Sequence, residues 1–466
     1  MLFNSPTYAV FFAIVLLLYW TLATRHLQLR NLFLLSASYI FYGWWDWRFL
    51  GLIIASSAID FTAARMIDRC RVDRYRKIWL VISLVANLSV LGFLKYFNFF
   101  LDSLQHTAPW FGYTPDWPTW NIVLPVGISF YTLQTMSYTI DVYRRQIPPC
   151  RDPVAFFAYV CFFPQLVAGP IERAGELLPQ FKEIRGVSNN QARDAFRQIL
   201  WGLVQKVVIA DSCGTLADPV FAEPAAHHGG TIALAAVYFA FQIYGDFAGY
   251  SNIAIGSARL LGFDLRPNFR SPYFAVSIRD FWQRWHLSLS QWFRDYVYIP
   301  LGGNRRGRLR GHVNILIVFA ISGLWHGAAW NFLLWGLIHG GMLVVQRTAM
   351  PFISVPPRLQ RIIGPPIVFT GVTVAWLFFR IESFDDAIDA ATRLFTRAIF
   401  SHPDISRIGL TYVTLMLVGD AFSSGRGHPL HLRPLPVSLR WLIYTVLIIA
   451  VLGYYQPSSS FIYFQF

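Results

Sequence analysis

The amino-acid sequence predicts an all-α polytopic membrane protein, and three observations support this class. Of the 466 residues, 55% are hydrophobic and 14% are charged, whereas soluble domains carry about 25% charged residues. The mean hydropathy is +0.43, and several apolar runs reach the length of about eighteen residues that indicates a spanning helix. Aromatic residues make up 17% of the chain, which suits interfacial aromatic belts. We expect about ten or eleven spanning helices plus re-entrant or interfacial ones, in one domain over residues 1–466.

The basic surplus of the chain is explained by membrane topology. Lys and Arg number 39 against 25 Asp and Glu, and no nucleic-acid-binding motif accompanies them. Basic groups follow the first, third and fifth predicted spans, at 25–30, 65–77 and 144–145. These groups fall on one side, which the positive-inside rule makes cytoplasmic, so we expect an extracytoplasmic N-terminus. The first span lacks a cleavage site and is predicted to be retained.

The apolar segments are regular at first and then become irregular. The predicted spans are, in order, about residues 7–24, 31–44, 50–64, 78–100, 121–143, 313–332, 333–348, 366–380, 408–421 and 440–455. The segment 154–170 contains Pro164, Gly169 and Pro170, which predicts a broken or re-entrant piece. Residues 193–213 are predicted to form a short helix.

Polar groups occur at membrane depth in the segment 231–262. Gly245, Asp246 and Gly249 interrupt its apolar run, so we expect a broken helix here. An aspartate and hydroxyl groups are tolerated in a membrane only where they face protein or water. Asp246, Tyr250 and Ser251 are therefore candidates for lining a cavity, with helix-packing contacts as the alternative.

The segment 279–295 predicts one strongly two-faced helix. On a helical wheel three tryptophans share an arc with other apolar residues, whereas the opposite arc carries Arg279, Arg284 and Arg294. Asp280 and Arg284 have the i,i+4 spacing of an ion pair. So many charges exclude a spanning segment and indicate an interfacial helix. His286 lies at the edge between the two arcs, as a candidate site residue or as an ordinary interfacial histidine.

A second histidine, His326, lies in the run 313–334, which carries no Asp, Glu, Lys or Arg. An imidazole in the middle of such a run needs a partner or a water-filled cavity, and the default interpretation is functional. A structural histidine that donates to a carbonyl is the alternative. Gly323 and Gly327 flank it at a small-xxx-small spacing, which lets a helix or a substrate approach the backbone.

The cysteines give no sign of a metal or disulfide framework. Cys70, Cys150, Cys161 and Cys213 show neither CxxC spacing nor a histidine-rich neighbourhood. We expect buried small side chains and no metal.

Several long motifs resemble those of the membrane-bound O-acyltransferases, in the bacterial branch that O-acetylates exopolysaccharides such as alginate. They are ISFYTLQTMSYTIDVYR (128–144), FFPQLVAGPIERAGELLPQ (162–180), DFAGYSNIAIG (246–256), FWQRWHLSLSQWFRDYVYIPLGGNR (281–305), GLWHGAAWNFLLWGLIHG (323–340) and WLFFRIESFDDA (376–387). The resemblance implies a ring of tilted spans around a central funnel, with His326 as the family's near-invariant histidine and His286 as its second. The family's expected DFSGYSD is DFAGYSN here, so Ala248 and Asn252 replace a hydroxyl and a carboxylate.

The resemblance also implies the chemistry and the partners. Acyl transfer from a thioester to a hydroxyl needs a base and a group that stabilises the oxyanion; we expect His326 as the base and His286 as its assistant. Acetyl-CoA is the expected acyl donor, without a metal. Its candidate contacts are Arg279, Arg284, Arg294, Trp325, Asp246 and Tyr250. The expected location is the bacterial inner membrane, in contact with lipid, and the acetyl group is expected to cross to an extracytoplasmic acetyltransferase or another acceptor protein.

Four other functions remain open from the sequence, and one of them is the acylation of a lipid. A secondary transporter shares broken helices and midplane polar groups, but usually shows two corresponding halves, which this sequence lacks. An inactive scaffold of a polysaccharide export complex is a second alternative. The third is the D-alanyl-transfer branch, whose donor is a carrier protein; the LGGNRRG turn at 301–307 favours the acetylation branch.

Overall fold

A computed structural model describes residues 1–114, 117–167, 169–350, 352, 356–423, 427–457 and 461–462. These residues form helices and connecting segments, with no β-strand among them. The chain divides into two compact units. The first comprises Met1, Ser5–Ser188 and Ala258–Leu265, and the second comprises Leu2–Asn4, Asn189–Ser257 and Arg266–Phe466. The single domain expected over residues 1–466 stays a prediction.

The first unit is built on long apolar helices. Its α-helices are α1 (Pro6–Thr21), α2 (Leu27–Asp46), α3 (Leu50–Arg69), α4 (Asp73–Leu91), α5 (Phe97–Thr107), α6 (Ile128–Tyr143), α7 (Pro153–Cys161), α8 (Phe163–Leu166) and α9 (Ala174–Leu177). A buried polar contact joins α3 to α4, where the Asn87 amide donates to the Asp60 carboxylate at 3.0 Å. Such a contact satisfies groups that lipid cannot solvate.

The predicted break in 154–170 is confirmed between α7 and α8. Phe162 leaves the helical conformation at φ −49° and ψ +106°, and Pro164 lies in the first turn of α8, where its missing N–H costs nothing. Ala168, inside the predicted segment, lies outside the described residues.

The second unit carries all the predicted site residues. Its α-helices are α10 (Asn189–Leu203), α11 (Asp211–Ala222), α12 (Gly229–Leu260), α13 (Ile278–Trp282), α14 (Leu287–Phe293), α15 (Arg308–His326), α16 (Trp330–Ala349), α17 (Pro357–Arg380), α18 (Phe384–Leu394), α19 (Gly409–Ser423) and α20 (Val437–Tyr454). A π-helical turn, Val204–Ala210, joins α10 to α11. The short helix expected at 193–213 is therefore part of a longer helical stretch, Asn189–Ala222.

The break expected within 231–262 is wrong, because α12 is continuous over 32 residues. Its glycines instead face the backbone of a neighbouring helix. A Cβ atom on Gly249 would lie 2.7 Å from the carbonyl oxygen of Gly202, and one on Gly245 would lie 2.9 Å from that of Gln205. The small residues therefore permit close helix packing without interrupting the helix.

The single helix expected at 279–295 is also wrong. The chain forms α13 and α14 with a turn between them, followed by a π-helical turn at Arg294–Tyr298. Hydrogen bonds to a preceding loop interrupt the helix at this turn. The Leu287 N–H donates to the carbonyl of Asn268 at 2.9 Å and not to a carbonyl of α13. The predicted ion pair is confirmed, with Arg284 Nε 2.8 Å from the Asp280 carboxylate.

The small residues of α15 and α16 bring these two helices into backbone contact. A Cβ atom on Gly323 would lie 2.1 Å from the carbonyl oxygen of Phe332, and one on Gly336 would lie 2.1 Å from that of Phe319. The small-xxx-small pattern thus accommodates a helix. The boundary between these helices lies at 327–329, a few residues before the expected position.

The membrane class predicted from the sequence is confirmed. Seven helical stretches within the described residues are long and apolar enough to cross a membrane: Pro6–Arg25, Leu27–Arg69, Asp73–Phe111, Asn189–Ala222, Gly229–Leu260, Pro357–Arg380 and Val437–Tyr454. Two shorter apolar stretches are Pro153–Leu166 and Gly409–Ser423. The count of ten or eleven spans stays a prediction.

Candidate active site

His286 occupies the turn between α13 and α14. Its backbone is left-handed, with φ +42° and ψ +56°, a conformation that His, Asn and Asp adopt more readily than most residues. The residue is 1% exposed. Burial lowers the pKa of His286 to about 3, because a charged imidazolium loses its hydration there. The ring is therefore neutral at physiological pH.

Asn268 determines which nitrogen of His286 carries the proton. The backbone N–H of Ser288 donates to Oδ1 of Asn268 at 3.3 Å, which identifies this amide atom as the acceptor oxygen. Nδ1 of His286 lies 3.1 Å from the same oxygen, so it must be the protonated nitrogen. The neutral ring consequently has its lone pair at Nε2.

His326 is the last residue of α15 and is surrounded by aromatic rings. It is 4% exposed, and its ring centroid lies 4.9 Å from that of Trp325, 5.1 Å from that of Trp335 and 5.4 Å from that of Phe379. The following Gly327 ends the helix with an N–H bond to the Gly323 carbonyl. The imidazole is thus held at a helix end among buried aromatic rings, where electrostatic interactions are strong.

The structure brings together three of the predicted site residues. The ring centroids of His286 and His326 lie 6.4 Å apart, and Trp325 contacts both rings, at 6.2 Å from His286. Phe247 of α12 contacts His286 edge-on at 4.6 Å. The two candidate histidines are therefore neighbours in the fold, as acid–base chemistry on one substrate requires.

A third buried histidine, His339 of α16, was missed by the sequence analysis. It is fully buried and contacts Trp335, the neighbour of His326, at 4.9 Å between ring centroids. Neither ring nitrogen has a hydrogen-bond partner among the described residues, and the same holds for Nε1 of Trp282, Trp335 and Trp376. The signal was available, since His339 also lies in an apolar helical run without charged residues.

The three predicted arginines differ in how their charges are used. Arg284 pairs with Asp280, and the exposed Arg294 pairs with Asp295 at 2.7 Å. Arg279 is exposed and forms no ion pair within the part of the chain that the structure describes. Of the three, Arg279 has the charge that is most available to an anionic ligand.

Asp246 and Tyr250 participate in a buried polar cluster on α12. Lys206, in the π-helical turn, lies 2.6 Å from the Asp246 carboxylate and 2.8 Å from that of Asp211. Tyr250 donates to the Asn4 side chain at 3.1 Å. These contacts satisfy charges that would otherwise be very costly to bury. A role of Asp246 and Tyr250 in donor binding stays a prediction.

Comparison with known proteins shows the family to which the chain belongs. The model of the membrane-bound O-acyltransferase (MBOAT) family matches residues 75–384, which include both histidines. A probable alginate O-acetylase AlgI of Azotobacter vinelandii is 39% identical over 88% of this chain and 81% of its own length. A peptidoglycan O-acetyltransferase of Helicobacter pylori is 35% identical over 83% of this chain and 78% of its own length.

A more distant relative represents the D-alanyl-transfer branch. A teichoic acid D-alanyltransferase of Streptococcus thermophilus is 31% identical over 47% of this chain and 56% of its own length. The O-acetylating relatives are thus matched over nearly twice as much of the chain. The chain belongs to the membrane-bound O-acyltransferase family and is an O-acyltransferase.

Proposed function

We propose that this protein takes an acetyl group from cytoplasmic acetyl-CoA and passes it across the bacterial inner membrane for O-acetylation of an exopolysaccharide such as alginate or cellulose. The observation that carries the proposal is the pair of buried imidazoles, His286 and His326, with ring centroids 6.4 Å apart. The extensive similarity to a probable alginate O-acetylase supports acetyl as the group transferred and alginate as the class of acceptor.

His326 is proposed as the general base. Its imidazole takes the proton of an acceptor hydroxyl while that oxygen attacks the thioester carbonyl carbon. The tetrahedral intermediate then collapses, the carbon–sulfur bond breaks, and the thiolate of CoA recovers the proton from the imidazolium. The products are CoA and an acetyl ester, so atoms and charge balance. The dry aromatic surroundings of His326 keep water from competing with the acceptor.

His286 is proposed to orient the donor. Because Nδ1 donates to Asn268, Nε2 can accept a hydrogen bond from an amide N–H of the pantetheine arm. The base and the orienting group then act on the same thioester from two adjacent rings. This assignment predicts that replacing His286 raises KM for acetyl-CoA, whereas replacing His326 lowers kcat.

Arg279 is proposed to contact the phosphates of acetyl-CoA. Arg284 and Arg294 are paired with neighbouring carboxylates, so their charges are already partly balanced. Trp325, in contact with both histidines, is proposed to pack against the acyl end of the donor. The donor would thus extend from an exposed arginine to the buried pair.

The direction of transfer is part of the proposal. The donor is cytoplasmic and an exopolysaccharide is modified outside the cell, so the acetyl group must cross the membrane to an extracytoplasmic acetyltransferase or another acceptor protein. The N-terminus is proposed to be extracytoplasmic, since basic residues follow the first, third and fifth predicted spans. A D-alanyl group on a carrier protein is the competing donor.

The test uses purified protein in proteoliposomes with radiolabelled acetyl-CoA on the cytoplasmic face and oligosaccharide acceptors on the other. We expect label on alginate oligosaccharides when an extract of extracytoplasmic proteins is supplied as the source of the second acetyltransferase. With a D-alanyl carrier protein as the donor, we expect no label. Label on peptidoglycan fragments instead would show that peptidoglycan, and not alginate, is the acceptor.

A further inference from the structure

Three side chains from distant parts of the sequence meet beside α10. Asp194 lies in α10, whereas His428 and His431 lie between α19 and α20. Nε2 of His428 is 3.2 Å from Oδ1 of Asp194, and Nδ1 of His431 is 3.5 Å from the same oxygen. The His428 side chain is fully buried, and the other two are 27% exposed. None of the three takes part in the acyl-transfer site described above.

The backbone that carries the two histidines is fixed in place. Gly427 has a φ of +79°, a left-handed turn that strongly favours glycine, and Pro429 restricts φ on the other side of His428. Leu430, between the two histidines, is 4% exposed and belongs to the same hydrophobic core as Trp201 of α10. The H-P-L-H segment is therefore anchored against the helix that carries Asp194.

The separations of the three polar atoms match a tetrahedral metal site. With metal–ligand bonds of about 2.0–2.1 Å, neighbouring ligands of a tetrahedral Zn²⁺ lie about 3.3 Å apart. The two separations in the cluster, 3.2 and 3.5 Å, are close to this value, and all three ligand atoms lie within 4.8 Å of one another. The two imidazoles are stacked with centroids 4.3 Å apart, so the partly exposed His431 ring must tilt for both lone pairs to converge.

We propose that Asp194, His428 and His431 bind one divalent transition-metal ion of the Zn²⁺ type, with water as the fourth ligand. Two imidazoles and one carboxylate are the ligands that zinc prefers, whereas magnesium and calcium prefer oxygen alone. The ion ties the segment between α19 and α20 to α10 and thereby stabilises the second unit. No metal was expected from the sequence, because the four cysteines lack the spacing of metal ligands.

The test measures metal binding by the full-length protein in detergent, purified with a tag that contains no histidine and treated with a chelator. Isothermal titration with Zn²⁺ and metal analysis by mass spectrometry are expected to give one ion per chain. D194N and H428Q are expected to lose that ion. H402Q, which changes an exposed histidine, is the matched control and is expected to keep it.

A second measurement separates metal binding from a simple hydrogen-bonded cluster. Zn²⁺ is expected to raise the melting temperature of the wild type by several degrees and to leave that of D194N unchanged. Bound Co²⁺ is expected to show the visible absorption of a tetrahedral site. If D194N or H428Q does not fold, H431Q is the deciding variant, because the His431 side chain is 27% exposed and its replacement disturbs the core less. A wild type that binds no more Zn²⁺ than D194N, or variants that all retain the ion, overturns the proposal.

Discussion

The Asn268 side chain holds the His286 ring in one tautomer, since its Oδ1 atom accepts both from Nδ1 of His286 at 3.1 Å and from the backbone N–H of Ser288. The same residue accepts the Leu287 N–H through its backbone carbonyl. One asparagine therefore fixes both the turn and the orientation of the imidazole. Partners of this kind often matter nearly as much as the group they orient.

Replacing Asn268 by alanine is expected to lower acetyl transfer by about 10- to 100-fold, because His286 loses its orienting acceptor. S251A is the matched control. The Ser251 hydroxyl accepts from the amide nitrogen of Asn268 at 3.4 Å and not from the oxygen that faces His286, so S251A is expected to retain most of the activity. The comparison uses initial rates with acetyl-CoA, measured on monodisperse proteins at equal concentration. Full activity of N268A would show that Asn268 does not orient His286.

Gly323→Ala is expected to destabilise the protein by about 1–3 kcal/mol or more, because the added methyl overlaps the backbone of α16. The new Cβ atom would lie 2.1 Å from the Phe332 carbonyl oxygen. The matched control is Gly341→Ala in the same pair of helices, where no atom lies within 4 Å of the added Cβ; it is expected to be neutral or slightly stabilising. Thermal unfolding in detergent measures both, and equal melting temperatures would contradict the close packing.

Lys206→Met is expected to destabilise the protein by about 3–5 kcal/mol, because it leaves the Asp246 and Asp211 carboxylates buried without their cation. Arg48→Met is the control, since the Arg48 side chain is 69% exposed in its pair with Asp46, and no measurable change is expected there. Thermal unfolding provides the measurement. A Lys206→Met protein as stable as the wild type would show that the buried cluster does not depend on the lysine charge.

Arg279→Gln is expected to raise KM for acetyl-CoA by about 3- to 10-fold with little change in kcat, since it removes one cation from the donor phosphates. With S-acetylpantetheine, which lacks the nucleotide phosphates, the same variant is expected to behave like the wild type. Arg294→Gln, whose arginine pairs with Asp295, is the control. An equal effect of Arg279→Gln on both donors would exclude phosphate binding as its role.

The two histidines of the candidate site could be singled out from the sequence, but the local structure around His286 could not be predicted. Both histidines lie in long motifs. His326 also lies in an apolar run without charged residues, and His286 lies at the edge between the polar and apolar arcs of its segment. Such positions can be recognised from the sequence alone. The helix expected at 279–295 is broken because Asn268 bonds to the backbone of Leu287 and Ser288. A helical wheel contains no information on such tertiary hydrogen bonds.

Two further differences have the same physical origin. Gly245 and Gly249 suggested a break in α12, whereas they make room for the backbone of Gln205 and Gly202; an apolar pattern cannot separate these two roles of glycine. The cluster of Asp194 with His428 and His431 joins residues 234 positions apart, so no local motif marks it. Features that depend on side chains meeting across the fold are those that the sequence did not reveal.

The most direct test of the proposed role of His326 compares the wild type with H326Q and H286N in a single assay of label transfer from radiolabelled acetyl-CoA. Asparagine tolerates the left-handed backbone of position 286, and H106Q, at an exposed histidine, is the matched control. We expect a loss of kcat of about 100-fold or more in H326Q, a raised KM for acetyl-CoA in H286N, and wild-type kinetics in H106Q. Full activity of H326Q in folded protein would contradict the central claim that His326 is the base.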